Sequence, residues 1–304
     1  MQDSTPSIQI ETQVPERSVW ADRWKSTRKT LRRLWRKHPM LYVGVFFLSI
    51  MVLMAILAPF LNTVDPIKVA PANRLLPPSG DHWFGTDFVG RDVWSRAVYG
   101  ARNSLSIGAA VALASAASAG IIGLFAGYSR KFDEVIMRIM DALMSIPNIL
   151  LAIALVSIAG GSIPNVIGAI TLTVAPRAVR VIRSQVLSLK EAVYVDAARA
   201  IGAKTSRIVF LHVFPGTIAP MIVTATIIGA GAIVVEAVLS FLGAGPPPEI
   251  PSWGTMMADG RRTISQAMWV VGFPGMFLTI TVLSVNIIGD NLRDILDPKL
   301  RRSG

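Results

Sequence analysis

Few charged groups in this chain fall inside its apolar stretches. Glu236 sits in the run ATIIGAGAIVVEAVLSF, and Arg138 and Asp141 lie three apart in EVIMRIMDALM. An ionisable group in such surroundings needs a partner, so each marks either an interhelical bond or a group facing a pathway. For Arg138 and Asp141 the spacing predicts a local ion pair. Glu236 is the main acid placed to face a substrate or ion, and the alternative is a hydrogen bond to a neighbouring helix. Asp87 and Asp92 flank Gly90 and Arg91, but the ligand positions of an EF-hand calcium loop are missing. Arg91, Asp92, Arg96 and Arg102 are expected to form local salt bridges instead. Cysteine is absent, which removes thiolate nucleophiles, thiolate metal sites and disulfides. His38, His82 and His212 show no ligand spacing. No GxxxxGK[ST] phosphate loop, HExxH or GxSxG occurs, so no catalytic site, metal or cofactor is expected in this chain.

The elements that position these residues read as membrane spans. The chain has 304 residues, 52% of them hydrophobic and only 16% charged, where a soluble domain carries about 25% charged. Its mean hydropathy is +0.52. Six runs are long enough for the roughly 30 Å of a bilayer core: 40–61, 104–127, 135–159, 163–181, 218–243 and 267–289. An even number places both termini on one side. The segments on that side hold 23 of the 30 Lys and Arg, which predicts that it is the cytoplasm. The net charge of +11 is therefore a topology signal and not a nucleic-acid surface. Gly, Ala, Ser and Thr crowd the second and fifth spans, as suits close helix packing in lipid. Spans two to five are thus expected to form the interior, with the bulkier first span at the periphery. Pro147, Pro176 and Pro274 are expected to kink spans three, four and six.

Three regions follow. Residues 1–38 are expected to form a cytosolic segment and not a cleavable signal peptide, because the first apolar run starts only near residue 40 and is too long. Within it Trp20, Trp24, Leu31, Leu34 and Trp35 share one helical face, while Arg28, Lys29, Arg32, Arg33 and Arg36 project elsewhere. That pattern predicts a helix lying in the interface on anionic lipid. Residues 39–103 hold the first span and an outer loop, in which Trp83, Phe84 and Trp94 are expected to pin the chain to the membrane face. Residues 104–304 form the core, with a second outer loop, GPPPEIPSWGTMMADGRRTI, opened by three prolines that favour extended backbone. The two outer loops could together form a cap. On the inner side a long polar loop occupies 183–216.

Within that loop, 191–215 reads EAVYVDAARAIGAKTSRIVFLHVFP, a helix, a glycine stop and a second helix ended by Pro215. Val195, Ala198 and Ile201 share a face with Ala197 and Tyr194. Gly202 can take the left-handed conformation that closes a helix, and Thr205 or Ser206 can cap the next. An elbow of this shape outside the bilayer suits the grip of another protein, although plain connectors share the pattern.

The elbow also carries a resemblance. Asp196-Ala197-Ala198, Gly202 and His212-Val213-Phe214-Pro215 stand at the spacing of a signature that reads E-A-A, three residues, G, nine residues, I-x-L-P. Asp, His and Phe depart from it. The segments Phe84-Gly85-Thr86-Asp87, Gly90-Arg91-Asp92, Glu236-Ala237, Ser252-Trp253-Gly254 and Gly289-Asp290-Asn291-Leu292 add to the match. From about residue 36 to 301 the chain resembles the permease subunits of ABC importers, in the branch of dipeptide/oligopeptide C-type subunits. The resemblance implies an all-α membrane protein with the type I importer fold. It implies that Asp196, Ala197, Ala198, Arg199, Gly202, Ala203 and Pro215 form a coupling loop docked on one of two ATPase subunits, which bind ATP and Mg. It further implies a second, related permease subunit and an extracytoplasmic binding protein. Asp87, Arg91, Asp92 and Trp253 are the expected contacts for that protein. Di- and oligopeptides, glutathione, nickel chelates or opines are the implied cargo. The rival is a secondary transporter driven by an ion gradient, with Glu236 as its ion site.

Overall fold

The structure, a computed structural model, describes residues 39–61 and 63–296. The interfacial helix expected at 20–35 lies outside these residues. In chain order the helices are α1 (Pro39–Ile56), α2 (Val93–Tyr128), α3 (Arg130–Ser145), α4 (Asn148–Ala159), α5 (Ile163–Leu189), α6 (Val193–Ala200), α7 (Thr205–Phe241), α8 (Trp253–Gly260) and α9 (Trp269–Leu296). Among the described residues no strand forms, and Thr86 and Asp92 make an isolated antiparallel bridge. Helices α1, α2, α5, α7 and α9 are each long and apolar enough to cross a membrane.

The third expected span is not one helix. It divides into α3 and α4, bent by 94°. Pro147 supplies the cause, because its ring forces the residue before it out of helical conformation and it has no amide to donate. Ile146 is accordingly extended, with φ −93° and ψ 133°. The 12 residues of α4 rise only about 18 Å, short of the bilayer core. Pro176 and Pro274, expected to act alike, stay inside unbroken helices.

Helix ends also depart from expectation. The second span starts at Val93 and not near 104, because Asp92 caps it and its Oδ2 accepts the Ser95 amide at 2.8 Å. The fourth span continues to Leu189. Pro215 does not end a helix. It lies inside α7, just after a π-helical turn at Ile208–Val213. There the Phe214 amide reaches back five residues to the Val209 carbonyl, so the bonding ladder is already shifted where the proline has no amide to offer.

Small residues set the packing. A Cβ on Gly127 of α2 would stand 2.5 Å from Val186 Cγ1 of α5, and one on Gly108 would stand 2.7 Å from Ile233 Cγ1 of α7. Helices α2, α5 and α7 therefore form the centre. The first span is peripheral as expected, with Phe46, Leu53 and Ile56 exposed, and it packs on α9 through Gly44. Apolar clusters lie at both ends of the bundle: one around α6 and the start of α7, the other around Trp253 and α9.

Candidate functional site

The elbow begins with α6. Val195 and Ala198 are buried against Val186, Ile208 and Val213, which fixes the short helix to α5 and α7. Its end is a double hydrogen-bonded closure. The Ala203 amide donates to the Ala198 carbonyl at 3.0 Å and the Gly202 amide to that of Arg199 at 2.9 Å. This closure requires a left-handed residue between them, and Gly202 supplies it at φ 80°. Ile201 was expected to share a face with Val195 and Ala198. It falls where the helix ends, and its side chain is 86% exposed. Val193 is equally exposed, and Ala197 and Tyr194 also face outward. Tyr194, Ala197 and Ile201 border a groove of about 690 Å³ that reaches Lys204, Arg207 and His212. Asp196 and Arg199 pair with each other on the surface at 3.0 Å. Pro215 lies one turn further along, beyond the π-turn.

Beside the elbow, α3 lies against α5 through two ion pairs. Asp133 meets Arg183, and Asp141 meets Arg180 at 2.5 Å. The pair predicted between Arg138 and Asp141 does not form. Asp141 turns to the neighbouring helix, and Arg138 is exposed. Nothing in the local spacing signals Arg180, 39 residues away.

The cap occupies the other end of α2 and α7. Asp87 Oδ1 accepts the amides of Val89 and Arg91, at 3.0 and 2.9 Å, and its Oδ2 pairs with Arg91 Nε at 2.6 Å. Arg91 Nη2 then reaches Asp259 of α8 at 2.9 Å, and Arg96 lies 3.7 Å from the same carboxylate. Asp92 caps α2 and meets His82 Nδ1 at 3.0 Å. The expected local pairing holds for Arg91 with Asp87, while Arg91 and Arg96 also reach across to the second loop at Asp259, and Arg102 stays outside these pairs, exposed. Trp83 and Trp94 lie against each other, and Phe84 stacks on Phe273 of α9 at 3.8 Å. Those rings hold the loop to the protein, and Trp83, one of the expected membrane-facing rings, is about half exposed. Trp253 is fully buried, its indole donating to the Ala97 carbonyl at 3.1 Å and its amide to Ser104 Oγ. Asp87, Arg91, Asp92 and Trp253 therefore shape the surface of the cap from beneath. A cavity of about 680 Å³ opens between the cap and the end of α4, bordered by Ser157, Phe241, Pro247, Asp259 and Arg262.

Glu236 is fully buried near the cap end of α7. Its Oε1 accepts hydroxyls from Ser240 at 2.9 Å and Ser252 at 2.8 Å. The interhelical alternative is the one observed. Ser252 is also the N-cap of α8, exchanging bonds with Thr255 in a capping box. Sequence reasoning missed Ser252, Ser240 and Asp259; the S-x-x-T spacing of the cap was a readable signal for the first.

Apolar helices of membrane-crossing length, close-packed through small residues and joined by an elbow at one end and a cap at the other, define a polytopic α-helical membrane protein. Residues 119–302 match the family described as binding-protein-dependent transport system inner membrane component, and 18–78 match the N-terminal TM domain of oligopeptide transport permease C. The chain belongs to this family of ABC transporter permeases. It is similar to a Brucella abortus protein with a provisional name as a peptide transport system permease, at 46% identity over 90% of this chain and 93% of the relative. It is 43% identical to the dipeptide transport system permease protein DppC of Alkalihalophilus pseudofirmus, over 91% of this chain and 90% of that one. With the oligopeptide transport system permease protein OppC of Bacillus subtilis it shares 40% identity over 88% of each chain.

Proposed function

We propose that this chain is one of two permease subunits of an ATP-driven importer. It would form the path for di- or oligopeptides, or related small compounds, handed over by an extracytoplasmic binding protein. The relatives' names favour peptides over the other cargoes. In this reading both termini and the elbow face the cytoplasm, and the cap faces outward to receive the binding protein. Two ATPase subunits bind ATP and Mg, and one of them takes the elbow through Asp196, Ala197, Arg199, Gly202 and the groove beside them. The chain itself catalyses nothing. ATP binding favours one of two states of the assembly, and the elbow is where that preference enters.

The observation that carries the reading is the elbow. A short helix is fixed from beneath by Val195 and Ala198 and closed at Gly202, and it presents Val193, Ala197 and Ile201 to solvent. Large exposed apolar side chains beside a groove are the mark of a surface meant for a partner. An ion-coupled transporter is disfavoured, since the acid it would use is bonded to Ser240 and Ser252.

Ile201→Asp and Ala197→Trp test the docking. Both positions are exposed, so the subunit should fold, while co-purified ATPase and uptake should each fall at least tenfold. Normal ATPase yield together with normal uptake would refute the assignment. Ala198→Trp is a poorer test, because Ala198 is buried and the change would overfill the core.

A further inference from the structure

We propose that Glu236 is a positioning residue that ties the cap to α7, so that movement entering at the elbow reaches both loops of the cap as one body. This rests on the importer reading above and assigns a part of the chain that the reading leaves without a role.

Helix α7 runs without a break from Thr205, next to the elbow, to Phe241, where the cap begins. Its 37 residues make a rod of about 55 Å. Glu236 stands about one turn from the cap end, fully buried. One carboxylate oxygen receives two hydroxyls, from Ser240 on the same helix and Ser252 on the next, while Oε2 has no partner among the described residues. A buried carboxylate with one oxygen unmet is a costly way to join two helices, and apolar packing would join them at lower cost. What the carboxylate adds is direction. The hydroxyl it accepts belongs to the N-cap of α8, so Glu236 sets where α8 starts and how it points.

The fit around this clasp leaves no slack. A Cβ on Gly254 would lie 2.6 Å from the Ala237 Cα and 3.1 Å from Glu236 Oε1. The preceding residue, Trp253, is held to α2 by its amide and its indole. At the far end of the same eight-residue helix, Asp259 is gripped by Arg91 and lies within 4 Å of Arg96. Helix α8 is therefore a strut with one end on α7 and the other on the first loop. It cannot follow α7 without carrying that loop along.

The test uses the whole transporter reconstituted in membranes. The measured quantity is the ratio of ATP hydrolysis with and without binding protein loaded from a dipeptide library. Glu236→Gln keeps an oxygen for both hydroxyls and should retain at least half of the wild-type ratio. Glu236→Ala and Glu236→Leu remove the acceptor and should bring the ratio to about one. Retention of the ratio by Glu236→Ala would overturn the proposal, as would a Gln variant that falls as far as the Ala variant. Ser252→Ala removes a single donor and decides the matter if the Glu236 variants do not assemble; it should at least halve the ratio, and an unchanged ratio would overturn the proposal. A wild-type ratio of one would count against the importer reading itself, whereas a responsive wild type matched by Glu236→Ala would sink this inference alone.

Discussion

Two glycines with nearly identical φ angles sit at opposite ends of this protein. Gly202 closes the elbow at φ 80° and Gly90 turns the cap at φ 81°. A Cβ on Gly202 would meet nothing within 4 Å, whereas one on Gly90 would sit 1.9 Å from the Ala70 carbonyl oxygen. The elbow needs glycine for its conformation alone, and the cap needs it for conformation and space together. The same contrast runs through both regions. In the elbow, Val195 and Ala198 hold from beneath a helix whose other apolar side chains stay exposed. In the cap, arginines, aspartates and tryptophans turn inward and satisfy each other. One end leaves large apolar side chains exposed, and the other pairs most of its charged groups within the chain.

The contrast is sharpest at Trp253. Truncation to Ala removes a fully buried ring and its bond to Ala97, and should destabilise the subunit by about 3–5 kcal/mol. A thermal unfolding midpoint within a degree of the wild type would break the picture of a self-sufficient cap. The glycine pair comes next. Gly90→Ala combines strain with overpacking and should cost about 3 kcal/mol, while Gly202→Ala carries the left-handed strain alone and should cost about 1 kcal/mol. Equal losses in the same unfolding assay would mean that the two ends do not differ as described. Smallest of all is Asp196→Ala, which removes an exposed pair with Arg199 and should change stability by less than about 0.5 kcal/mol. A larger loss would show that the elbow surface is held by its charges.

Much of this arrangement was legible in the sequence. Apolar runs located the spans because lipid imposes length and composition directly. Gly202 was legible because a glycine between two helical patterns has few other uses. Proline was not. Pro147, Pro176 and Pro274 all lie in apolar surroundings, yet only the first divides a helix. The outcome depends on whether neighbouring helices support the freed carbonyl, which a linear pattern does not contain. Pairing across distance was equally hidden. Arg91 meets Asp259, 168 residues away, and Glu236 meets Ser252 across a proline-rich turn. Arg138 and Asp141 looked paired because spacing suggests only local partners, and the stronger partner for Asp141 came from α5.

The π-turn at Ile208–Val213 has a consequence for angular phase. Such a turn is equivalent to one residue inserted into an α-helix without breaking it. Each α-helical residue turns the chain by about 100°. Deleting one residue from this turn would restore a plain helix and swing α6 about the axis of α7 by roughly that angle, carrying Ala197 and Ile201 off their present side of the bundle. The bulge thus acts as a phase setting: it decides which direction the elbow faces relative to a rod whose other end is clasped to the cap.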